Sequence, residues 1–473
     1  MAVIVISRGS CPGLRDLYRA STGEAVKVDP SIYAGLDSSR RTYLDEASKR
    51  QVYGYCTGLG ELYTSRGGCG SGIEERVLKE HAVGVGGPAR ESIVRAFLFA
   101  RLSQLAQGRA PIRGVVAERI VEALNKGIIP VIPVKGSVGA SGDLAPSAHA
   151  FLCIHLGIGS AFHRGRVTSC REALEEAGLK PLNLEPGEAL ALINNTAWSI
   201  ALAGLGVWAA LSLLEESLRV ASKSLSVTGC NPEHFSREVL EAKRSIEAVT
   251  PGLECSGSRL QDPYSIRCIP QVYGSAYKAI QHARSLVEAE LCSSTENPLV
   301  AGGRVLHSCN FHSLPAGLAA DYTVIALASV ANIVERRIAQ LLRSSITGRP
   351  EYLAREPGSV GAMILQYTAA SLAARIRRLS TPSTVNSIPT SGMQEDHTPM
   401  SPDAGLKLLE AVEDLSWLIA VEDLVAGIAL EEPVGDKLWR ELMARHANLL
   451  ERAGLGEILG DGQRYNNPAY TKP

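Results

Sequence analysis

Apolar residues recur at helical spacing over seven long stretches, 90–107, 115–125, 200–222, 273–290, 318–342, 363–379 and 405–430, and each spacing predicts a helix. Before about Leu190 the texture is mixed, with short helical patterns, many glycines and a strand-like run from Ile128 to Val134. Long helices with few strands pack as a bundle. The pattern therefore predicts a mostly α fold, with a mixed N-terminal domain over 1–195 and a central and C-terminal helical bundle over 196–473. Breaks at Asn231-Pro232, Thr250-Pro251-Gly252 and Pro357-Gly358 separate helices rather than domains, since no low-complexity linker and no internal repeat interrupts the chain.

Two of the apolar stretches raise a membrane question. Asn194 to Leu214 carries no charge, but Asn194, Asn195, Thr196 and Ser199 crowd one end and Gly204 and Gly206 interrupt the rest. Leu314 to Val334 carries Asp321 in its middle. Both read as core helices of a large bundle rather than membrane spans. The charge balance points the same way: Lys plus Arg (48) nearly cancels Asp plus Glu (49), which argues against nucleic acid and anionic membrane and favours a small-molecule partner. The ten Cys lie scattered with no Cys-x-x-Cys pair, so they are read as reduced, mostly buried thiols. With no signal peptide in the short apolar start Ala2 to Ile6, a cytoplasmic protein is expected.

Two glycine-dense stretches, Gly67 to Gly72 and Gly84 to Gly87, lack the strand, helix and Lys-Ser/Thr context of a phosphate loop. The first reads as a mobile loop able to act as a lid after the Tyr53 to Tyr63 segment, the second as a close-packing turn. Gly136 to Pro146 is more informative. Gly139 and Gly142 permit backbone geometry that a Cβ resists, and the residues around Ser141 are too small to block a ligand. Asp143 ahead of Pro146 is a helix-start signature, which sets the loop at the positive end of a helix. By itself this leaves a nucleophilic serine or an anion pocket open, although the Gly-x-Ser-x-Gly elbow of hydrolases is absent.

The segment Gly139-Ala140-Ser141-Gly142-Asp143 resembles the signature of the histidine and aromatic amino acid ammonia-lyase family. Further stretches resemble that family in the same order. They are Tyr53 to Gly60, with Cys56 and Leu59 where the family has Asn and Phe, then His81 to Gly86 and Asn194-Asn195-Thr196. Gln261 to Cys268, Asn310-Phe311-His312, Ser387 to Ser391 and Gln394-Glu395-Asp396-His397 complete the series.

The resemblance implies an N-terminal domain carrying a self-made electrophile, 4-methylidene-imidazol-5-one. It arises when the Gly142 nitrogen attacks the Ala140 carbonyl and two waters leave, with Ser141 dehydrated and no external cofactor needed. It also implies a homotetramer whose active sites combine three chains, which suits motifs spread from Tyr53 to His397.

Elimination of ammonia needs a carboxylate anchor, an activator of the amine and a base for the β-hydrogen. Arg267 offers the planar fork that grips a carboxylate. Tyr53 resembles the family's base, which requires a depressed pKa. Tyr264 and Asn194 are candidates to position amine and ring, and Gln261, Asn310, Phe311 and Gln394 to complete the pocket. No metal site is expected, since nothing sets four ligands beside His307 and His312.

By resemblance, His81 and Glu395 favour a histidine-like substrate, and histidine to urocanate is the expected reaction. Two substitutions oppose it: Glu80 stands where the histidine enzymes have Ser, and Arg375 where they have a glutamate. Leu314 also replaces a usual glutamate. Either Glu80 and Arg375 pair with each other, or the substrate carries an acidic or phenolic side chain. A tyrosine, phenylalanine or other aromatic lyase, an aminomutase of the same family, and a silent scaffold homologue are the alternatives.

Overall fold

The computed structural model describes residues 3–65, 68–70, 72–243, 245, 253, 255–433 and 437–460; Gly67, Ser71 and the Thr250-Pro251-Gly252 break lie outside them. The chain forms two compact units. One comprises Met1–Leu205, Arg284–Ala319 and Pro382–Leu406, the other Gly206–Ala283, Ala320–Thr381 and Lys407–Pro473.

In the first unit, strand Val3–Ile6 runs parallel to Ala25–Val28, and helix Leu14–Ser21 packs on helix Glu91–Leu105, whose side chains are buried nearly all round. The expected strand over Ile128 to Val134 is two strands in different sheets. Ile129–Pro130 pairs with Ser160–His163, and Pro133–Lys135 with Val85–Pro88. Pro130 and Pro133 lack the N–H that a continuous ladder requires, which accounts for the change of partner. Helix Pro30–Lys49 is absent from the sequence expectation. Its buried stripe, Ile32, Leu36, Ser39, Arg40 and Tyr43, mixes polar with apolar positions and hides the period. Asp29 caps it by accepting from the Ser31 N–H at 2.8 Å, and Pro30 opens the first turn.

The second unit is built from long helices, and its largely apolar core also holds a buried charge pair. Arg337 and Glu422 form a fully buried ion pair (Nε to Oε1 2.7 Å), with the Tyr273 hydroxyl 3.0 Å from the same guanidinium. Helix Met363–Leu379 has the bounds its periodicity predicts. The two apolar stretches that raised a membrane question fall within Glu188–Thr228 and Leu314–Leu341. Both are long and apolar enough to span a bilayer, yet 83% and 72% of their most apolar windows are buried inside the protein, as core helices require.

The cysteines correct one expectation. Cys11–Cys292, Cys56–Cys69, Cys153–Cys170 and Cys230–Cys255 are disulfides, and only Cys268 and Cys309 are free. Their sequence separations run from 13 to 281, so spacing carried no sign of the pairing. The reading of all ten as reduced thiols is overturned for these eight.

Candidate active site

Two left-handed glycines shape the loop around Ser141. At Gly139 (φ +73) and Gly142 (φ +78) a Cβ would meet Ser313 Oγ at 2.1 Å and the Asn195 backbone oxygen at 2.5 Å. Only glycine fits such positions. Both flanks are tied down. The Ser313 N–H and hydroxyl donate to the Gly139 carbonyl at 3.1 and 3.0 Å, and the Asp143 N–H donates to the Asn195 carbonyl at 2.7 Å.

Asp143 occupies the N-cap position of helix Leu144–Phe151, but its carboxylate makes no cap hydrogen bond. It is fully buried and accepts from the Ser199 N–H (2.7 Å), the Ser199 hydroxyl (3.0 Å) and the Ser137 hydroxyl (3.1 Å). The expected capping role is thus replaced by a bridge to helix Ala197–Thr228. Burial, against those three donors, pushes its carboxyl up to about 6.

Asn194 reaches the loop from the end of helix Glu188–Ile193. Its Oδ1 accepts from the Asn297 N–H at 2.8 Å, which turns Nδ2 toward the Ser141 carbonyl at 2.7 Å. The Ser141 hydroxyl donates to Oε1 of Glu395, a residue 254 positions away. The other carboxylate oxygen accepts from the Thr390 hydroxyl at 2.6 Å, so Glu395 is oriented by the Ser387 to Ser391 motif.

Ala140, Ser141 and Glu395 line a cleft of about 600 Å³ together with Tyr53, Phe311 and Gln394. The Tyr53 phenol oxygen accepts the Gly60 N–H at 2.9 Å, and the Tyr53 N–H donates to His307 Nε2 at 3.2 Å. The expected depressed pKa is reversed in this chain: burial pushes the phenol up, the Gly60 N–H pulls it down, and the Glu395 carboxylate adds to the rise.

His81 and Asn310 are not among the residues lining this cleft. The His81 ring Nδ1 bonds the Val77 carbonyl at 2.7 Å, one turn back on its own helix. Asn310 Nδ2 donates to the Ser294 carbonyl at 3.0 Å, a structural bond. Gln261, Tyr264 and Arg267 belong to the second unit, where Arg267 donates to the Gln261 side chain and lies 4.8 Å over the ring of Tyr264, itself 70% exposed. Glu80 and Arg375 each have a partner within their own unit. Glu80 lies 3.9 Å from Arg76 on the same helix, and Arg375 Nε donates to both Asp414 oxygens at 2.9 and 3.1 Å.

The sequence reading missed much of the lining. Gln51, Tyr63, Asn297, Cys309 and Asp396 face the cleft, and so does a pair of imidazoles, His312 Nε2 and His397 Nδ1, 3.1 Å apart. Burial holds His312 below the usual histidine range. His312 and His397 stand inside motifs already singled out, so their position in those motifs was the available signal.

The model of the aromatic amino acid lyase family matches residues 13–446. The probable histidine ammonia-lyase of Thermoplasma acidophilum is 39% identical over 436 residues, covering 88% of each chain. The histidine ammonia-lyase of Streptococcus pyogenes serotype M3 is 35% identical over 463 residues, covering 91% of this chain and 89% of that one. Among solved structures, the tyrosine aminomutase of Streptomyces globisporus superposes with a TM-score of 0.88 at 26% identity, over 96% of this chain and 98% of the other.

Proposed function

This chain belongs to the aromatic amino acid lyase family and is a carbon–nitrogen lyase, and on that footing we propose that it eliminates ammonia from L-histidine to give urocanate. The proposal includes a 4-methylidene-imidazol-5-one ring formed from Ala140-Ser141-Gly142. One observation carries it: Ser141 is held at both ends, its carbonyl by Asn194 and its hydroxyl by Glu395, at the wall of a substrate-sized cleft.

The residues present fit such a ring. Loss of two waters removes the Ala140 carbonyl oxygen and the Ser141 hydroxyl but retains the Ser141 carbonyl, so the Asn194 contact survives cyclisation. Gly142 has no room for a Cβ, which would meet the Asn195 backbone, so the turn that presents its nitrogen is open to glycine alone. When formed, the ring supplies an electrophile that activates the amine as a leaving group.

The chain's own groups do the rest. Asn194 donates to the oxygen where negative charge gathers, a contact that strengthens as charge develops. Tyr53 faces the cleft and takes the β-proton at its phenolate oxygen, with the Gly60 N–H stabilising that oxygen. Glu395 presents a carboxylate to an imidazole side chain, and Phe311 and Gln394 wall the cleft. The exposed Tyr264, with Arg267 over its ring, supports a homotetramer in which Arg267 anchors the substrate carboxylate in the site of another copy.

A second reading, an aromatic amino acid other than histidine or an aminomutase outcome, is favoured by the likeness to the tyrosine aminomutase. Intact-mass measurement and an ammonia-release screen over histidine, tyrosine and phenylalanine, with Ser141→Ala as control, test both. Loss of two waters with fastest turnover of histidine is expected. An intact mass without that loss would overturn the proposal, and NMR of the product separates urocanate from a β-amino acid.

A further inference from the structure

Cys56 lies three residues beyond Tyr53, in the segment that returns to place the Gly60 N–H on the phenol oxygen. Its backbone is left-handed, φ +57, a region that a residue with a Cβ adopts at a cost of about 1–2 kcal/mol. Something must hold it there. Within the loop, Thr57 Oγ1 accepts from the Gly54 N–H at 2.9 Å and donates to the Gly58 carbonyl at 2.9 Å, and the Gly58 N–H bonds the Ser65 carbonyl at 3.0 Å. These bonds shape the turn locally. The disulfide to Cys69, 13 residues on, closes the loop that contains Gly60.

The other three disulfides have no residue between Tyr53 and Ser65. Cys69 is exposed, so a reductant reaches this bond, whereas Cys153 and Cys170 are buried. Cys69, a described residue of the glycine-dense stretch expected to be a mobile lid, is therefore tied to the segment that carries Tyr53.

We infer that Cys56 and Cys69 are positioning residues for Tyr53: their disulfide holds the Gly60 N–H against the phenol oxygen, and opening it removes that donor and slows the elimination. Opening converts the disulfide to two thiols, with two electrons and two protons supplied by an external dithiol that itself becomes a disulfide. The inference rests on Tyr53 being the base. The groups facing Tyr53 are the Glu395 carboxylate, which opposes ionisation, the His307 ring on its backbone N–H, and Asp396, His312, His397 and Tyr63 across the cleft. None of them replaces the Gly60 donor at the phenol oxygen.

The test uses the full-length, assembled enzyme, oxidised or treated with dithiothreitol, with mass-spectrometric mapping of the opened disulfides. Turnover of L-histidine is measured across pH for the parent, Cys56→Ser/Cys69→Ser and Cys11→Ser/Cys292→Ser. Tyrosinate absorbance is titrated in the same samples, and the Tyr53 part is isolated by subtracting Tyr53→Phe. Loss of one hydrogen bond moves the Tyr53 titration and the rising limb of kcat/KM up by about 0.5–1 pH unit. Below that limb kcat falls about three- to tenfold with KM little changed, in the Cys56→Ser/Cys69→Ser enzyme and in the reduced parent alike. The Cys11→Ser/Cys292→Ser enzyme keeps the parent's limb until it is reduced.

A Cys56→Ser/Cys69→Ser enzyme with lowered Tm but an unmoved limb and an unmoved Tyr53 titration overturns the inference, leaving the bond a mere structural tie. If that variant fails to fold, the reduced parent decides by the same two readouts. Full turnover in Tyr53→Phe instead removes the base assignment on which the inference rests, while the tyrosinate titration still reports on the tether alone.

Discussion

Gly142 is the position where the loop has least room, and Gly142→Ala puts that to a quantitative test. A left-handed backbone costs an alanine about 1–2 kcal/mol. The new Cβ would lie 2.5 Å from the Asn195 oxygen and 2.6 Å from its nitrogen; ordinary contact begins at 3.4 Å, so 3.4 minus 2.5 leaves 0.9 Å to be found. Asn195 cannot retreat freely. Its carbonyl accepts from the Asp143 N–H at 2.7 Å, and its Nδ2 donates to the Ser147 hydroxyl at 3.1 Å and the Leu192 carbonyl at 2.8 Å.

Breaking the Asp143 bond adds about 1 kcal/mol, for about 2–3 kcal/mol in all, concentrated where ring closure needs a fixed geometry. The expected result is a folded chain with lowered Tm and no loss of two waters by intact mass. Ammonia release falls by at least about 30- to 150-fold. Gly358→Ala is the control, since Gly358 has a similar φ of +79 with nothing within 4 Å of a built Cβ. A Gly142→Ala enzyme that sheds two waters and turns over within threefold of the parent would refute the argument, because the loop would then be softer than its hydrogen bonds imply.

Asp143 makes stability depend on pH in a definite sense. Its carboxyl titrates at about 6 when folded against a reference of 3.8, so the folded state binds the proton more tightly and stability falls as pH rises through that window, by about 3 kcal/mol. Denaturant unfolding of Asp143→Asn should lack that slope, and parallel curves for variant and parent would contradict it. Glu395→Gln removes the carboxylate that opposes Tyr53 ionisation, so the Tyr53 tyrosinate titration should move to lower pH, and an unchanged titration counts against their coupling. Arg337→Met strands the Glu422 carboxylate in the second unit's core and should cost about 3–5 kcal/mol in urea unfolding. Pairing it with Glu422→Met should recover most of the loss, and a double variant as unstable as the single one would show that packing, not charge, dominates there.

Much of this protein was legible along the chain. Helix Met363–Leu379 follows from apolar spacing alone, because a helix buries one face and the period records which one. Pro30–Lys49 escaped that reading, since Ser39 and Arg40 take core positions and are satisfied by the Gly108, Pro111 and Pro186 carbonyls, partners that no local pattern reveals. The demand for glycine at 139 and 142 was likewise visible, being a property of the backbone itself.

Contacts between distant residues were decided elsewhere. Ser141 meets Glu395 across 254 positions, Cys11 pairs with Cys292 across 281, and Arg375 pairs with Asp414. The same holds for Tyr53, whose residue type suggests a base but whose ionisation is set by burial, by the Gly60 N–H and by the Glu395 charge. The amino-acid sequence alone determined the local pattern: which small residues flank Ser141, which turns need glycine and where helices run. Which groups meet, and how strongly burial and neighbouring charge bias their protons, was decided only by the tertiary structure, because desolvation and Coulomb energies depend on distances through space that chain order does not encode.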